Sequence, residues 1–214
     1  MHQVTMKHRA FTIWEAMAVL GIIMLLAAIL FPVFARTRCN ENEISCRSNL
    51  RQISVAFRLY LADYEERYPL NQQLEYQNHN TKSDNTSGWA YELKTYLGNS
   101  QPFYCPMRKT LIPKATSYTD YYFNNRLASL NSQYLRRQAS VIQLGEGNDG
   151  KSIPTADYAY SELPEKWRQD KSTPAYRHLD GANYGFVDGH VKWLRPEQVT
   201  GANPNGKNFT FATR

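Results

Sequence analysis

A chain of 214 residues with a net charge of +6 has room for one ordinary domain and an appendage. Its mean hydropathy of -0.59 describes a wet, loop-rich bulk, although the first 34 residues are strongly apolar. The 25 Lys and Arg are scattered without forming a basic stripe, and two of them, Lys7 and Arg9, precede the apolar run, so no nucleic-acid partner is expected. Three cysteines, Cys39, Cys46 and Cys105, are too few for a disulfide-framed miniprotein and have no C-x-x-C or other metal-ligand spacing.

From Phe11 to Phe34 there are 24 residues whose only charge is Glu15. As a helix they would span roughly 36 Å, enough to cross a bilayer. A carboxylate near a bilayer centre costs on the order of 3 kcal/mol, which makes Glu15 a functional candidate. A cleaved signal peptide has some support, with Lys7 and Arg9 as its basic region and Val33-Phe34-Ala35 as its cut site. The apolar run is too long for that, and neither a signal peptide nor a plain anchor explains Glu15. Flanking charges pull both ways, Lys7 and Arg9 against Arg36 and Arg38.

Pro32 predicts a bend in this helix, not its end. Beyond it, Cys46, Leu50, Ile53, Phe57, Tyr60, Leu61 and Tyr64 fall at steps of three and four and form one apolar stripe. Arg47, Arg51, Arg58, Glu65 and Glu66 fill the other faces, and Pro69 supplies the stop, so the helix should run from about Phe11 to about Tyr68. Asn71 to Gly88 reads as a polar surface loop, and Trp89, Leu93, Tyr96 and Leu97 as a short helix closed by Gly98-Asn99. "SYTDYYFNN" and "SVIQLGEG" are strand-like.

In "RHLDGANYGFVDGHVKWL", Asn183–Val187 and His190–Leu194 flank Asp188-Gly189, the dipeptide favoured by a two-residue type I′ turn. A hairpin follows, with Tyr184, Phe186, Val191 and Trp193 alternating between packing and water. From Gly201 the chain reads as irregular, and Asn208-Phe209-Thr210 is a glycosylation triplet too common to carry weight. His178, Asp188 and His190 have three readings. They are metal-ligand candidates, for Zn through His and carboxylate or for Ca through oxygen alone. His178 and Asp188 are also two members of a catalytic triad, though no G-x-S-x-G serine or Cys–His signature accompanies them. In the third, His178 hydrogen-bonds the turn carboxylate and pins its loop to the hairpin. The third is the expectation, with no cofactor.

"RAFTIWEAMAVLGIIMLLAAILFPVFARTR" resembles the prepilin-type cleavage and methylation segment of type IV pilins and type II secretion pseudopilins. The resemblance implies a cut by a prepilin peptidase between Ala10 and Phe11, methylation of the new Phe11 amine, and Glu15 as the fifth mature residue. Ala10 stands where the family usually has Gly, which slows cleavage without forbidding it. In that family Glu15 would pair with the Phe11 amine of a neighbouring subunit, so that assembly satisfies two buried charges, and it lies near the positive end of the helix dipole.

His178, nine residues, then Asp188 and Gly189 match the H-x9-D-G element of a subfamily of these proteins. "CRSNLRQISVAFRLYLADYEERYP", "FYCPMR" and "SVIQLGEG" extend the similarity along nearly all of the chain. It implies an α+β pilin-like fold, a long N-terminal helix on a C-terminal antiparallel sheet. Residues 1–10 would be the leader, 11–34 the transmembrane half of the helix, 35–68 its amphipathic half, and 69–214 the head carrying the 178–194 hairpin. The subfamily often carries Cys at positions 46 and 105, which implies a bridge stapling the head to its helix. Two buried thiols are the alternative.

The implied function is structural, with no enzymatic activity. The chain would be a single-pass membrane protein with a cytoplasmic leader and an extracytoplasmic head, assembling into a periplasmic or surface filament for secretion or attachment. The implied partners are the prepilin peptidase, other pilin-like subunits, a platform membrane protein and an assembly ATPase. A membrane-tethered ligand-binding module that never polymerises is the alternative, and Glu15→Ala separates the two. An extracellular enzyme using His178 and Asp188 is the third reading.

Overall fold

The computed structural model describes residues 12–71, 88–107, 118–147, 156, 158–201 and 209–213. It is α+β, and the chain falls into two units, Met1–Asn40 and Glu41–Arg214. Helix α1 runs Ile13–Asp63 and passes Pro32 without ending. Its segment Ile13–Pro32 is long and apolar enough to cross a membrane, and none of its 20 residues is buried. The expected Asn71–Gly88 loop lies, from 72 to 87, outside the described residues.

In the second unit α1 ends five residues before the expected Tyr68, and Pro69 is not the cause. The Glu66 amide donates to the Leu61 carbonyl at 2.8 Å, while Glu65 takes a left-handed φ of 51°. This is a Schellman closure with Glu where Gly is usual, so the sequence carried no stop signal at that point. Tyr64 is consequently not part of the buried stripe. It is half exposed, stacked on Tyr60 at 4.2 Å, whereas Cys46, Leu50, Ile53, Phe57, Tyr60 and Leu61 are buried as expected.

The short helix α2, Trp89–Leu97, is closed by Gly98 at φ 69°. The main sheet contains β1 (Tyr121–Asn124), β2 (Ile142–Glu146), β3 (Ala159–Tyr160), β4 (Ala182–Phe186) and β5 (Val191–Leu194). Its order is β3-β1-β2-β4-β5, and all pairs are antiparallel except β1 with β3. Helix α3, Glu165–Gln169, precedes β4.

Both faces of the sheet are covered. Tyr121, Phe123, Leu144 and Val191 join a core with Cys46, Leu50, Ile53 and Phe57 of α1 and Trp89 of α2. Tyr122, Ile142, Tyr184, Phe186 and Leu194 face the other way, onto Trp167 of α3 and Phe211. Ile142 and Leu144 reach opposite cores because a register irregularity lies between them. The expectation that β4 alternates between packing and water is therefore wrong: all five residues are buried. Asn183 and Gly185 point to the α1 side, and at Gly185 the helix comes so close that a Cβ would lie 3.3 Å from Ser54 Oγ.

The hairpin forms, but not about a two-residue type I′ turn. Its closing pair is Phe186 with His190, the Phe186 amide donating to the His190 carbonyl at 2.9 Å, and Gly189 donates back to the Phe186 carbonyl at 2.8 Å. Among the three loop residues only Gly189 has positive φ, 87°. That is a type I turn followed by a left-handed Gly, the usual three-residue hairpin loop. The C-terminal segment is also more regular than expected: β7 (Phe209–Thr210) pairs in parallel with β6 (Val199–Thr200). Asn208 of the glycosylation triplet lies outside the described residues.

Candidate functional site

Two places gather the candidate residues, one in each unit. At the start of α1, Ala10 and Phe11 lie outside the described residues. The Glu15 carboxylate accepts from the Thr12 amide at 2.9 Å and the Thr12 hydroxyl at 2.7 Å, and the Glu15 amide donates back to that hydroxyl at 3.3 Å. Thr12 is the residue before the helix and Glu15 its third residue, so the pair is a reciprocal capping box. The T-x-x-E spacing was present in the sequence and carried this role unread.

In the second unit, four side chains from distant segments converge. Cys46 lies on α1. Cys105 follows a 3-10 turn at Gln101–Phe103 and is positioned through its amide, which donates to Asp120 Oδ2 at 2.7 Å. Glu146 ends β2, opposite Tyr121. His178 precedes β4, its backbone bridged to Gly181 and its carbonyl accepting from Trp193 Nε1 at 3.0 Å. One ligand-type atom from each of Cys46, Cys105, Glu146 and His178 lies within 4.8 Å of the others, and no side chain of the four is more than 2% exposed.

Within the cluster, His178 Nε2 meets Glu146 Oε1 at 2.9 Å, and Asn183 Nδ2 donates to the same oxygen at 3.1 Å. Glu146 Oε2 is buried with no hydrogen-bond partner among the described residues. Burial opposes a charge on His178, but the Glu146 carboxylate and Cys105 outweigh it and raise the imidazole to about 10. The Cys46 hydrogen bond lowers Cys105 to about 6; burial opposes this, and His178 and Arg177 assist it. As the donor of that bond, and by its own burial, Cys46 is pushed up. Arg177, half-buried, donates to the Gly147 carbonyl with its charge in the field of Cys105, Glu146 and Asp120.

The expected His178–Asp188 hydrogen bond does not form. The two residues lie beyond opposite ends of the five-residue β4, which at roughly 3.3 Å per residue separates them by at least about 13 Å. The same separation breaks up the His178, Asp188, His190 metal set and the two-member triad. The Asp188–Gly189 end works at the hairpin tip instead. Asp188 Oδ1 accepts from the His190 amide at 3.1 Å and pairs with His190 Nδ1 at 2.6 Å, while the His190 ring stacks on Phe186 at 4.3 Å. The Arg58 guanidinium donates to the Asp188 carbonyl, which ties the tip to α1. The two ends of the H-x9-D-G spacing thus serve separate places.

Cys46 and Cys105 are brought side by side as free, buried thiols. Glu146, Asn183, Asp120 and Arg177 were missed from the sequence. Glu146 had one signal: in "SVIQLGEG" it shares a face with Leu144 by the two-residue strand period, and an acid on an apolar face marks a buried carboxylate. The cluster combines two thiols, an imidazole and a carboxylate in a space closed to water. That chemistry suits cross-linking or cation binding. Compared with protein-family models, curated proteins and solved structures, the chain matches none.

Proposed function

We propose that the chain is a pilin-like structural subunit, cut by a prepilin peptidase between Ala10 and Phe11 and assembled through its N-terminal helix into a filament for secretion or attachment. The observation that carries the reading is the first part of α1, where the apolar 20-residue span Ile13–Pro32 has no buried member and Glu15 is the only charge between Phe11 and Phe34. Such a surface needs lipid first and like helices afterwards. A cut before Phe11 places a new ammonium beside Thr12 and Glu15, and in a stack of subunits each Glu15 meets the amine of a neighbour. The head stays outside the membrane, and a platform protein and an assembly ATPase supply the extraction work.

The capping box makes Glu15→Ala a poor test, because it removes a helix cap together with the charge. Glu15→Gln is the better one: Gln keeps the reciprocal cap and loses only the charge. In the native host, a mature chain starting at methylated Phe11, with Glu15→Gln processed normally but absent from sheared filaments, is the expected result. A chain starting at Arg36 would make this a secreted protein. An uncut chain, or full incorporation of Glu15→Gln, would favour a tethered module.

A further inference from the structure

We propose that Cys46, Cys105, Glu146 and His178 bind one zinc ion as a structural centre that clamps α1 to the sheet of the head. The proposal is independent of filament assembly. Four donors come from four separate segments, α1, the loop after the 3-10 turn, the end of β2 and the approach to β4, and their ligand atoms lie within 4.8 Å of one another. Zn–S bonds of about 2.3 Å and Zn–N or Zn–O bonds of about 2.0–2.1 Å place tetrahedral donors roughly 3.3–3.8 Å apart, so the widest pairs draw in by about 1 Å and the 2.9 Å His178–Glu146 hydrogen bond gives way to ligation.

The donor set selects the ion. Two thiolates exclude calcium and magnesium, which take oxygen ligands, and the mixture of sulfur, imidazole and carboxylate suits zinc. Four protein ligands leave no open position, the arrangement of a structural centre rather than a catalytic one. An independent observation also points to a cation: Glu146 Oε2 is a buried carboxylate oxygen with no hydrogen-bond partner among the described residues, a costly state unless something positive takes it up.

The supporting contacts are of the kind that orient metal ligands. Asn183 holds the other Glu146 oxygen, Asp120 holds the Cys105 backbone, and Trp193 holds the His178 carbonyl. On binding, the protons that the two sulfurs and the ligating nitrogen of His178 still carry leave to solvent, and no electron is transferred. The resulting excess negative charge is partly offset by the neighbouring Arg177 guanidinium. The rival chemistry is oxidation of the two thiols to a disulfide, which would leave Glu146 Oε2 as it is.

The test uses the full chain in detergent, purified without chelators and with exclusion of air. Expected are one zinc per chain by elemental analysis and a melting temperature that falls by roughly 5–10 °C on chelation. Cobalt substitution should give the intense visible bands of a tetrahedral site together with a thiolate-to-cobalt charge-transfer band. Glu146→Gln should keep the fold, read by near-ultraviolet circular dichroism, and weaken zinc binding at least tenfold. Cys105→Ser should lose the charge-transfer intensity if it folds, and if it does not, the wild-type cobalt spectrum still reports the sulfur ligands. Three results would overturn the proposal: a folded, reduced protein that takes up no stoichiometric zinc or cobalt; cobalt bands without thiolate charge transfer; or a native chain lighter by two hydrogens and metal-free, which is the disulfide.

Discussion

Replacing Phe57 by Ala probes the attachment of α1 to the head. The Phe57 ring is fully buried and lies against Phe123 at 5.2 Å, Trp89 at 5.8 Å and Tyr68 at 5.8 Å, so one side chain joins α1 to β1, to α2 and to the segment after the helix. Losing the buried ring forfeits about 2 kcal/mol of transfer free energy. A void of roughly 100 Å³ at about 24 cal/mol per Å³ adds about 2.4 kcal/mol if the surroundings do not close in. Because the three neighbouring rings belong to different elements, little collapse is expected, and the total is about 4 kcal/mol. For a head of this size that lowers the melting temperature by roughly 8–16 °C. The assay is thermal unfolding of the full chain in detergent, followed by near-ultraviolet circular dichroism, with Leu59→Ala as control. Leu59 is on the same helix but half exposed, and its truncation should cost less than about 0.5 kcal/mol. Equal melting temperatures for the two variants would refute the docking of α1 through this ring.

Two further substitutions test the backbone. Glu65→Gly should stabilise the head by about 0.5–1 kcal/mol, because the left-handed closing residue of α1 favours Gly; a lower melting temperature would count against the Schellman closure. Gly181→Ala should be the more damaging of a pair with Gly189→Ala. At Gly181 a Cβ would sit 2.5 Å from the Leu194 carbonyl, which is backbone and cannot swing aside, whereas at Gly189 it would meet the movable end of Arg58. Gly189→Ala should cost about 1–2 kcal/mol from its positive φ alone. The reverse order, measured by chemical denaturation, would contradict the strand register.

Local features were legible in the sequence for local reasons. The apolar run through Phe34, the stripe from Cys46 to Leu61 and the hairpin about Asp188-Gly189 are matters of periodicity and turn chemistry, which neighbouring residues settle between themselves. Errors arose where a signal was missing or shared. Glu65 closes α1 without the Gly that usually marks such an end, and Asp-Gly suits both the two-residue and the three-residue hairpin loop, the choice resting on register with β5. The covering of both sheet faces was also hidden, because α3 and Phe211 meet the sheet only after the chain has folded back.

For the candidate site the division is sharper. Cys46, Cys105 and His178 could each be picked out singly from the sequence, and Glu15 with them. That His178 faces Glu146 and two thiols rather than Asp188 is decided by β4, a rigid strand that carries Asp188 away from His178 while β2 brings Glu146 toward it. Sequence spacing measures distance along the chain, and strand pairing replaces it with distance across the sheet.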